Sequence, residues 1–480
     1  MARRLSELVK RELAQDPEIT GVTADSRKVK PGALFAALPG TNADGRAFAR
    51  QALAQGAAAI IAESEIEGVD APTIVTPDPR RAYALAAAAY FRAQPDVCVA
   101  VTGTNGKTSV ATFCRQIFSR LGRNAASMGT LGVRTAAEQL TPPGLTTPDA
   151  ADVAELLAEL VGKGVTHLAL EASSHGIDQR RLDGVKLTAA GFLNLTQDHL
   201  DYHGTMEAYL AAKLRLFEAL LTRGGTAVLN ADSEAYPAFA AAAVQAGHTV
   251  FSVGERGQGL KLVAREPTPE GQRLTVEAEG RTFEVALPLV GAYQASNALV
   301  AAGLCIATGE EVGPVLEALA HLEGAPGRLQ RVGRGPRGGE AYVDYAHTPD
   351  GLETVLTALR PHVRGRLLVV FGAGGDRDRG KRPIMGEIAV RLADLAIVTD
   401  DNPRSEDPAA IRGEILAGAA GAREIGDRRE AIRAAVAELA EGDVLVVAGK
   451  GHEQGQIVGS VVHPFDDVGE VRAALEAGHG

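Results

Sequence analysis

The sequence predicts an α/β protein of three domains: a small α/β domain, a central domain on a doubly wound parallel sheet, and a second α/β sheet. Length is the first observation, since 480 residues stand against a usual ~150 per domain. The second is a rhythm from Val97 onward in which short apolar runs alternate with Gly-rich or polar turns and helical segments. Parallel strands covered on both faces require that pattern. The third is EGAPGR, Glu323 to Arg328, a Gly/Pro break after which the rhythm restarts. The expected domains are residues 1–95, 96–328 and 329–480.

Taken in order, MARRLSELVKRELAQD reads as a charged amphipathic helix. Lys30-Pro31-Gly32 is a turn before an apolar strand from Ala33 to Leu38, and AQGAAAIIAE is a helix end, a glycine turn and a strand. RRAYALAAAAYFRAQ is helical and stops before Pro95. In the central domain CVAVT, THLALEA, AAGFLNL and TAVLN read as strands that run into GTNGKT, SSHG, TQDH and AD. The third domain repeats this with AYVDYAH, RLLVVFGAGGDR, DLAIVTDDNPR and DVLVVAGKGHE. Sheets of this class bind ligands beyond the carboxyl ends of their strands, so chemistry is sought in those loops.

Composition narrows the function classes. Hydrophobic residues at 45% and charged residues at 23% describe an ordinary globular chain. A net charge of -11 argues against a broad nucleic-acid or anionic-membrane surface. Cys98, Cys114 and Cys305 are too scattered for a disulfide framework or a CxxC metal site, which fits a reducing compartment. The N-terminus lacks the apolar segment of a signal peptide, and no apolar run approaches ~18 residues. A soluble, cytoplasmic protein without membrane insertion is expected.

The strongest local signal is VAVTGTNGKTSVATFCRQIF. A strand enters Gly103, Thr104, Asn105, Gly106, Lys107, Thr108 and Ser109, and a helix follows. Glycines let backbone N–H groups converge on phosphate oxygens, Lys107 can reach the β/γ-phosphates, and Thr108 can hold Mg²⁺. Val101 stands where a generic Walker motif has its first glycine. Glu171 closes the strand THLALE and His199 follows AAGFLNL, so both should share the phosphate-loop edge and serve magnesium. Lys213, in MEAYLAAKLRLFEALL with Tyr209, Leu210, Leu214 and Phe217 as its apolar face, reads from its chemistry alone as a lysine snorkelling to solvent.

Taken together, GTNGKT, EASSHG, NLTQDHLDYHG, AKLRLF, GAYQASNALVA, GAPGRLQRV, VDYAHTPD, GAGGDRDRGKRP, TDDNPR and GKGHE resemble, in order and over nearly the whole chain, the Mur ligases. These are ATP-dependent amide-bond formers of peptidoglycan precursor synthesis, and Val101 is that family's form of the loop. The resemblance implies an N-terminal UDP-binding domain, a central P-loop ATPase domain and a C-terminal Rossmann-like domain that carries the incoming amino acid. It is nearest to members that add meso-diaminopimelate to the D-Glu γ-carboxylate of UDP-N-acetylmuramoyl-L-alanyl-D-glutamate through an acyl phosphate. ATP, two Mg²⁺ sites and a monomeric enzyme without nucleic-acid partners are implied.

Residue by residue, the resemblance assigns Ser26, Thr41, Asn42 and Ala43 to the uridine nucleotide. Thr146, Thr147, Ser173, Gln179 and Arg181 fall to the muramoyl dipeptide. Leu145 stands where some members carry Asn. Taken alone, Ser26 and Thr41 read as turn and cap residues. Lys213 becomes a lysine carbamylated by CO₂ that joins Thr108, Glu171 and His199 around the metals. Asn297, Arg328, Asp344 and His347 complete the ATP site with the phosphate loop. Arg377, Asp401, Asn402, Pro403, Arg404, Gly449 and Glu453 form the amino-acid pocket. Arg404 bears on selectivity, because a guanidinium forks onto the distal carboxylate that diaminopimelate has and lysine or ornithine lacks. The competing readings are a related Mur or folylpolyglutamate-type ligase using another amino acid, and a P-loop ATPase without ligase activity.

Overall fold

The structure, a computed structural model, describes residues 2–40 and 44–477. The chain forms two compact units: Met1–Leu260 with Val300–Val315, and Lys261–Leu299 with Leu316–Gly480.

The first unit opens with four parallel strands in the spatial order Gly21–Thr23, Ala33–Ala36, Ala59–Ala62 and Thr73–Val75. The two central strands, ALFA and AIIA, are buried throughout, as strands covered on both faces must be. The strand begun at Ala33 ends at Ala36 rather than Leu38. The helix Pro79–Phe91 starts where the Asp78 carboxylate accepts from Arg81 N–H, with proline in its first turn, where no backbone donor is needed. The amphipathic helix expected at the N-terminus shrinks to Leu5–Val9. Two causes are visible. Arg3–Arg4 pairs with Glu18–Ile19 as antiparallel strand, and Lys10 turns left-handed at φ +53°. Beyond Val9 only Leu13 and Ala14 offer apolar surface before Asp16, and that carboxylate takes the Ser6 N–H and hydroxyl. So short a helix survives only by tertiary contact, here through buried Leu5 and Leu8.

The remainder of this unit is a parallel sheet in the order Ala125–Gly129, His167–Glu171, Val97–Thr102, Leu187–Phe192, Leu221–Asn230 and Thr249–Gly254, with Gly132–Thr135 antiparallel at one edge. Every strand read from the sequence in this region is present. Register aligns Val101 with Glu171 and Thr102 with Phe192, so the three central strands end level with one another. Behind them Phe192 stacks on Phe239 with ring centroids 3.6 Å apart, and Phe217 meets Phe239 edge-on at 5.5 Å.

An antiparallel meander that the sequence reading did not foresee, Leu260–Thr268, Gly271–Ala278 and Arg281–Leu287, belongs from Lys261 onward to the second unit. Glu279 and Gly280, both at positive φ, make the two-residue hairpin between its last strands. The unit's main sheet runs Gln330–Arg334, Glu340–Asp344, Val444–Ala448, Leu367–Phe371, Leu395–Val398 and Arg423–Glu424, parallel except for the first pair. Helices cover both its faces around two apolar clusters. Among the described residues, no helix is long and apolar enough to cross a membrane.

Phe239 is fully buried between two other rings. Phe239→Ala should therefore destabilise the first unit by about 3–5 kcal/mol. Urea unfolding followed by far-UV circular dichroism checks this, and a loss below about 1 kcal/mol would show that the aromatic cluster is not a core contact.

Candidate active site

The phosphate loop bridges the end of Val97–Thr102 and the helix Lys107–Arg120. Gly106 lies at φ +91°, which favours glycine, and a Cβ on Gly103 would meet the Leu193 side chain at 2.9 Å. Asn194 clamps the loop, accepting from Asn105 N–H at 2.9 Å and donating to Asn105 O at 3.2 Å. Lys107 Nζ donates to the carbonyls of Gly103 and Thr104, each at 2.8 Å. Thr108 and Ser109 are buried in the first helical turn.

Lys213 reaches the same loop. Its Nζ donates to Gly103 O at 2.9 Å and lies 4.5 Å from the centroid of the Tyr209 ring. The residue is 1% exposed, so the solvent-snorkelling reading is wrong. The helix Met206–Arg215 carries Tyr209 and Lys213 one turn apart on one face, and that face turns inward. Burial, then the neighbouring Lys107 charge, pushes the Lys213 ammonium well below its ordinary value, with Asp198 opposing.

Glu171 is 3% exposed. Its carboxylate accepts from the Thr108 hydroxyl at 3.0 Å, from Thr130 N–H at 2.9 Å and from the Thr130 hydroxyl at 3.3 Å. A Cβ on Gly129 would fall 2.1 Å from Glu171 Oε1, so only glycine leaves room for that carboxylate. His199 sits at φ +52° before the short helix Leu200–His203, half-exposed, with Nε2 3.5 Å from Asp198. Its ring lies 4.8 Å from that of His175 and 6.2 Å from that of Tyr209. Burial, followed by His199, lowers the pKa of His175.

The Thr108 hydroxyl and the Glu171 carboxylate are hard oxygen donors beside a phosphate-binding backbone. That donor set fits Mg²⁺, which takes a few protein oxygens and completes its shell from phosphates and water. Among the described residues no group of His, Cys, Asp and Glu could hold a metal unaided.

The residues expected around the muramoyl dipeptide meet one another. Thr147 Oγ1 donates to Glu171 O at 2.9 Å and accepts from Ser173 N–H at 3.1 Å and from the Ser173 hydroxyl at 3.0 Å. Arg181 donates to Thr147 O at 2.6 Å and to Gln179 Oε1 at 2.7 Å, while the Thr146 and Thr130 hydroxyls pair at 2.9 Å. Leu145 is exposed. Ser26 opens the turn Ser26–Lys28 and joins none of these residues through a described hydrogen bond. Thr41, Asn42 and Ala43 lie outside the described residues.

In the second unit Asn297 Nδ2 donates to Gln294 Oε1 at 3.0 Å, and Gln294 donates to Arg328 O at 3.2 Å. The Arg328 guanidinium lies 4.9 Å from the Tyr345 ring centroid, and His347 Nδ1 is 2.9 Å from Tyr345 O. Asp344 ends its strand buried, accepting from Leu329 N–H at 2.6 Å and Ala346 N–H at 2.8 Å. Burial pushes its carboxyl up against the opposing pull of Arg328. The loops after neighbouring strands bring the other expected group together. Asn402 donates to Glu453 at 2.9 Å, and Arg404 Nη1 donates to Gly375 O at 2.8 Å. A Cβ on Gly375 would strike Pro403 O at 1.9 Å, and one on Gly374 would meet Arg404 Nη1 at 2.8 Å and Arg377 Cγ at 3.8 Å. Arg377 itself is exposed.

Sequence reasoning missed Thr130, Asn194 and Tyr209 in the first unit, and Arg382, Arg428 and Lys450 in the second. Asn194 and Lys450 stood inside segments already singled out, NLTQDH and GKGHE. Tyr209 and Arg382 likewise stood inside MEAYLAAKLRLFEALL and GAGGDRDRGKRP, whereas Thr130 and Arg428 lie where only tertiary structure brings them in.

The fold and site define a nucleotide-binding α/β protein whose phosphate loop, with its own lysine, is flanked by a buried acid and a buried lysine from a neighbouring helix. The Mur ligase family catalytic domain matches residues 18–92, the Mur ligase middle domain 101–305, and the Mur ligase glutamate ligase domain 327–451. The chain is 71% identical, over 99% of both chains, to UDP-N-acetylmuramoyl-L-alanyl-D-glutamate--2,6-diaminopimelate ligase of Caulobacter vibrioides. It is 56% identical to the ligase of the same name in Agrobacterium fabrum, over 95% of this chain and 93% of that one. A solved structure of a ligase of that name superposes over 100% of both chains with a TM-score of 0.78 at 37% identity. The chain belongs to the Mur ligase family.

A lysine whose folded value lies below its ordinary 10.5 binds fewer protons folded than unfolded. In CO₂-depleted buffer, stability should therefore rise with pH from that lowered value up to 10.5, with a slope from this group approaching about 1.4 kcal/mol per pH unit. Lys213→Met should flatten that component in denaturant unfolding measured across pH. An unchanged slope would show that the ammonium is not desolvated.

Proposed function

We propose that this chain is an ATP-dependent ligase of the MurE type. It joins meso-diaminopimelate by an amide bond to the D-Glu γ-carboxylate of UDP-N-acetylmuramoyl-L-alanyl-D-glutamate, a step of peptidoglycan precursor synthesis carried out in the cytoplasm. The observation that carries this reading is the convergence of Lys107 and Lys213 on the Gly103 carbonyl beside the Thr108–Glu171 pair. It occurs in a chain 71% identical from end to end to a 2,6-diaminopimelate ligase. We assign a UDP-binding domain to residues 1–95, an ATPase domain to 96–328 and an amino-acid domain to 329–480, in keeping with the three matched segments.

The chemistry makes a carboxylate electrophilic. The γ-phosphoryl group of ATP passes to a γ-carboxylate oxygen of D-Glu, giving an acyl phosphate and ADP. The diaminopimelate amine then attacks the acyl carbon, loses a proton, and inorganic phosphate leaves. Both steps gather negative charge on phosphoryl and acyl oxygens, so positioned cations and backbone donors carry the catalysis. Lys107 leaves its loop carbonyls for the phosphate. Thr108 and Glu171 would hold one Mg²⁺, and His199 with a carbamylated Lys213 would hold a second. Mg²⁺, when bound, supplies Lewis-acid charge at the phosphoryl oxygens. A Lys213 ammonium is a donor and cannot ligate a cation as a carboxylate does; the neutral amine is the form that CO₂ carbamylates, and burial shifts Lys213 towards that form. Thr146, Thr147, Ser173, Gln179 and Arg181 form one hydrogen-bonded surface suited to the dipeptide, and Ser26 with Thr41–Ala43 serves the uridine nucleotide. Asn297, Arg328, Asp344 and His347 contribute the remaining ATP contacts.

Lys107→Ala should leave a folded protein whose ligation rate falls ~100-fold or more, because positioned phosphoryl-charge stabilisation is lost. Product mass with diaminopimelate, ATP and the UDP-dipeptide checks it, and near-native turnover by the folded variant would sink the phosphate-loop assignment.

Arg404→Ala tests the choice of amino acid. Hydrogen bonds between charged groups are worth about 1.5–3 kcal/mol each, so kcat/KM for diaminopimelate should drop ~100-fold while ATP and UDP-substrate KM values stay near wild type. Lysine, which lacks the distal carboxylate, should be affected far less. An equal loss for both amino acids, or a wild-type preference for lysine or ornithine, would exclude Arg404 as the carboxylate clamp and leave the ligase assignment standing.

A further inference from the structure

Behind the Asp401–Arg404 turn lies a buried guanidinium that the reaction as described does not use. Arg428 and Asp467 are 0–1% exposed. Arg428 Nε and Nη2 fork onto the two Asp467 oxygens at 2.7 Å each, and Nη2 also donates to Ala448 O at 3.0 Å. Its remaining edge, Nη1, faces Asp401 Oδ2 at 3.9 Å. Both of those atoms are buried and neither has a hydrogen-bond partner. Gly449, at φ +123°, keeps the space open, since a Cβ there would lie 2.7 Å from Asp401 Oδ2.

The arrangement is costly in two ways. Arg428 is the first residue of the helix Arg428–Glu438, where the helix dipole disfavours a cation, and it is buried. Asp467 meets both costs: its carboxylate neutralises the guanidinium, and its own place at the start of the helix Asp467–Ala477 is the favourable end for an anion. A fork held on two edges has no rotational freedom left, so the direction of the Nη1 edge is fixed by the last helix of the chain. The loops it touches follow two strands that flank Leu367–Phe371 in the sheet, Leu395–Val398 and Val444–Ala448: Asp401 heads the DNPR turn and Ala448 precedes GKGHE. Lys450, also fully buried, ties the same loops together by donating to Asn402 Oδ1 at 2.7 Å and Gly455 O at 2.8 Å.

We propose that Arg428, locked by Asp467, is a positioning residue for amino-acid selection: it aims the Asp401 carboxylate by charge at a distance, leaving Oδ2 free to accept a hydrogen bond from the ammonium group of the incoming amino acid. A buried acceptor without a partner is the group a cationic donor of the ligand satisfies. At 3.9 Å the guanidinium attracts the carboxylate without occupying the lone pair. The inference rests on the reading of Asp401 to Arg404 as the amino-acid pocket.

The test is a cycle of Asp467→Asn, Asp401→Asn and the double variant in the full-length enzyme, with kcat and KM measured for diaminopimelate, ATP and the UDP-dipeptide. Each single variant should raise the diaminopimelate KM by about tenfold or more and leave the other two KM values within about twofold. The double variant should resemble Asp401→Asn alone, because Asp467 acts only through that carboxylate. If Asp467→Asn does not fold, Arg428→Lys replaces it with the same expectations, since lysine keeps the charge and loses the fork. Multiplied effects in the double variant, or equal losses for all three substrates, would reduce the pair to a structural staple and overturn the proposal. If Asp401→Asn raises the diaminopimelate KM and Asp467→Asn does not, the positioning role alone fails. If Asp401→Asn leaves that KM unchanged, the pocket reading fails and the positioning role with it.

Discussion

Two lysines donate to one carbonyl, and much of the first unit is arranged around that fact. Lys107 and Lys213 reach Gly103 O at 2.8 and 2.9 Å, in a site where Lys213 has almost no access to water. Like charges so placed are unfavourable unless one is lost or an anion joins them. The protein does part of this itself, through burial that lowers Lys213, the Tyr209 ring beneath it and the opposing charge of Asp198. A polyphosphate would complete it. The neighbouring residues shape the same loop: the bare Cα of Gly103 admits Leu193, Gly106 turns the chain and Asn194 holds it.

The same edge carries the acidic half. Level strand ends bring Glu171 to Thr108, and the missing side chain of Gly129 leaves the carboxylate its room. Glu171 cannot drift, because Thr130 holds it by backbone and hydroxyl. Preorganisation of this kind stabilises charge that develops elsewhere.

Strands were legible because burial on both faces leaves an unmistakable mark: VCVAVT, LLVVF and VLVVA admit no other reading once turns flank them. The meander from Leu260 to Leu287 escaped because its half-buried strands carry charged residues such as Lys261, Arg273 and Glu284 on their open faces. The N-terminal helix failed for the opposite reason: periodicity was present, but a competing strand pair and a left-handed Lys10 ended it. In the site, the phosphate loop, Glu171 and the DNPR turn stand at strand ends and were visible as such. Lys213 was not, because helical spacing cannot say whether a lysine on a mostly apolar segment faces water or a buried carbonyl. Arg428 and Thr130 left no signal, since the acids they bind, Asp467 and Glu171, lie 39 and 41 residues away in sequence; Arg382 stood inside GAGGDRDRGKRP, where nothing marked it off from its neighbouring arginines.

The second unit solves a different problem with the same kind of side chain. Arg382 and Arg428 are its largest fully buried residues, and each sits in the first turn of a helix, the end that disfavours a cation. Arg382 binds Glu406 and Glu414 and donates to Gly374 O at 3.2 Å; Arg428 binds Asp467 and donates to Ala448 O at 3.0 Å. Stability does not account for such pairs, because apolar groups of equal volume commonly replace buried ion pairs at no loss. What an apolar side chain cannot do is hold a loop carbonyl and an acid from another helix at fixed directions. Strand-end loops are otherwise the most variable parts of a parallel sheet. Each arginine converts one of them into part of the rigid frame: Gly374 beside Arg377 and Arg404, Ala448 beside Gly449 and Asp401. The buried cations thus lie where the pocket must keep its shape, and the cost of burying them is a measure of how closely that shape has to be held.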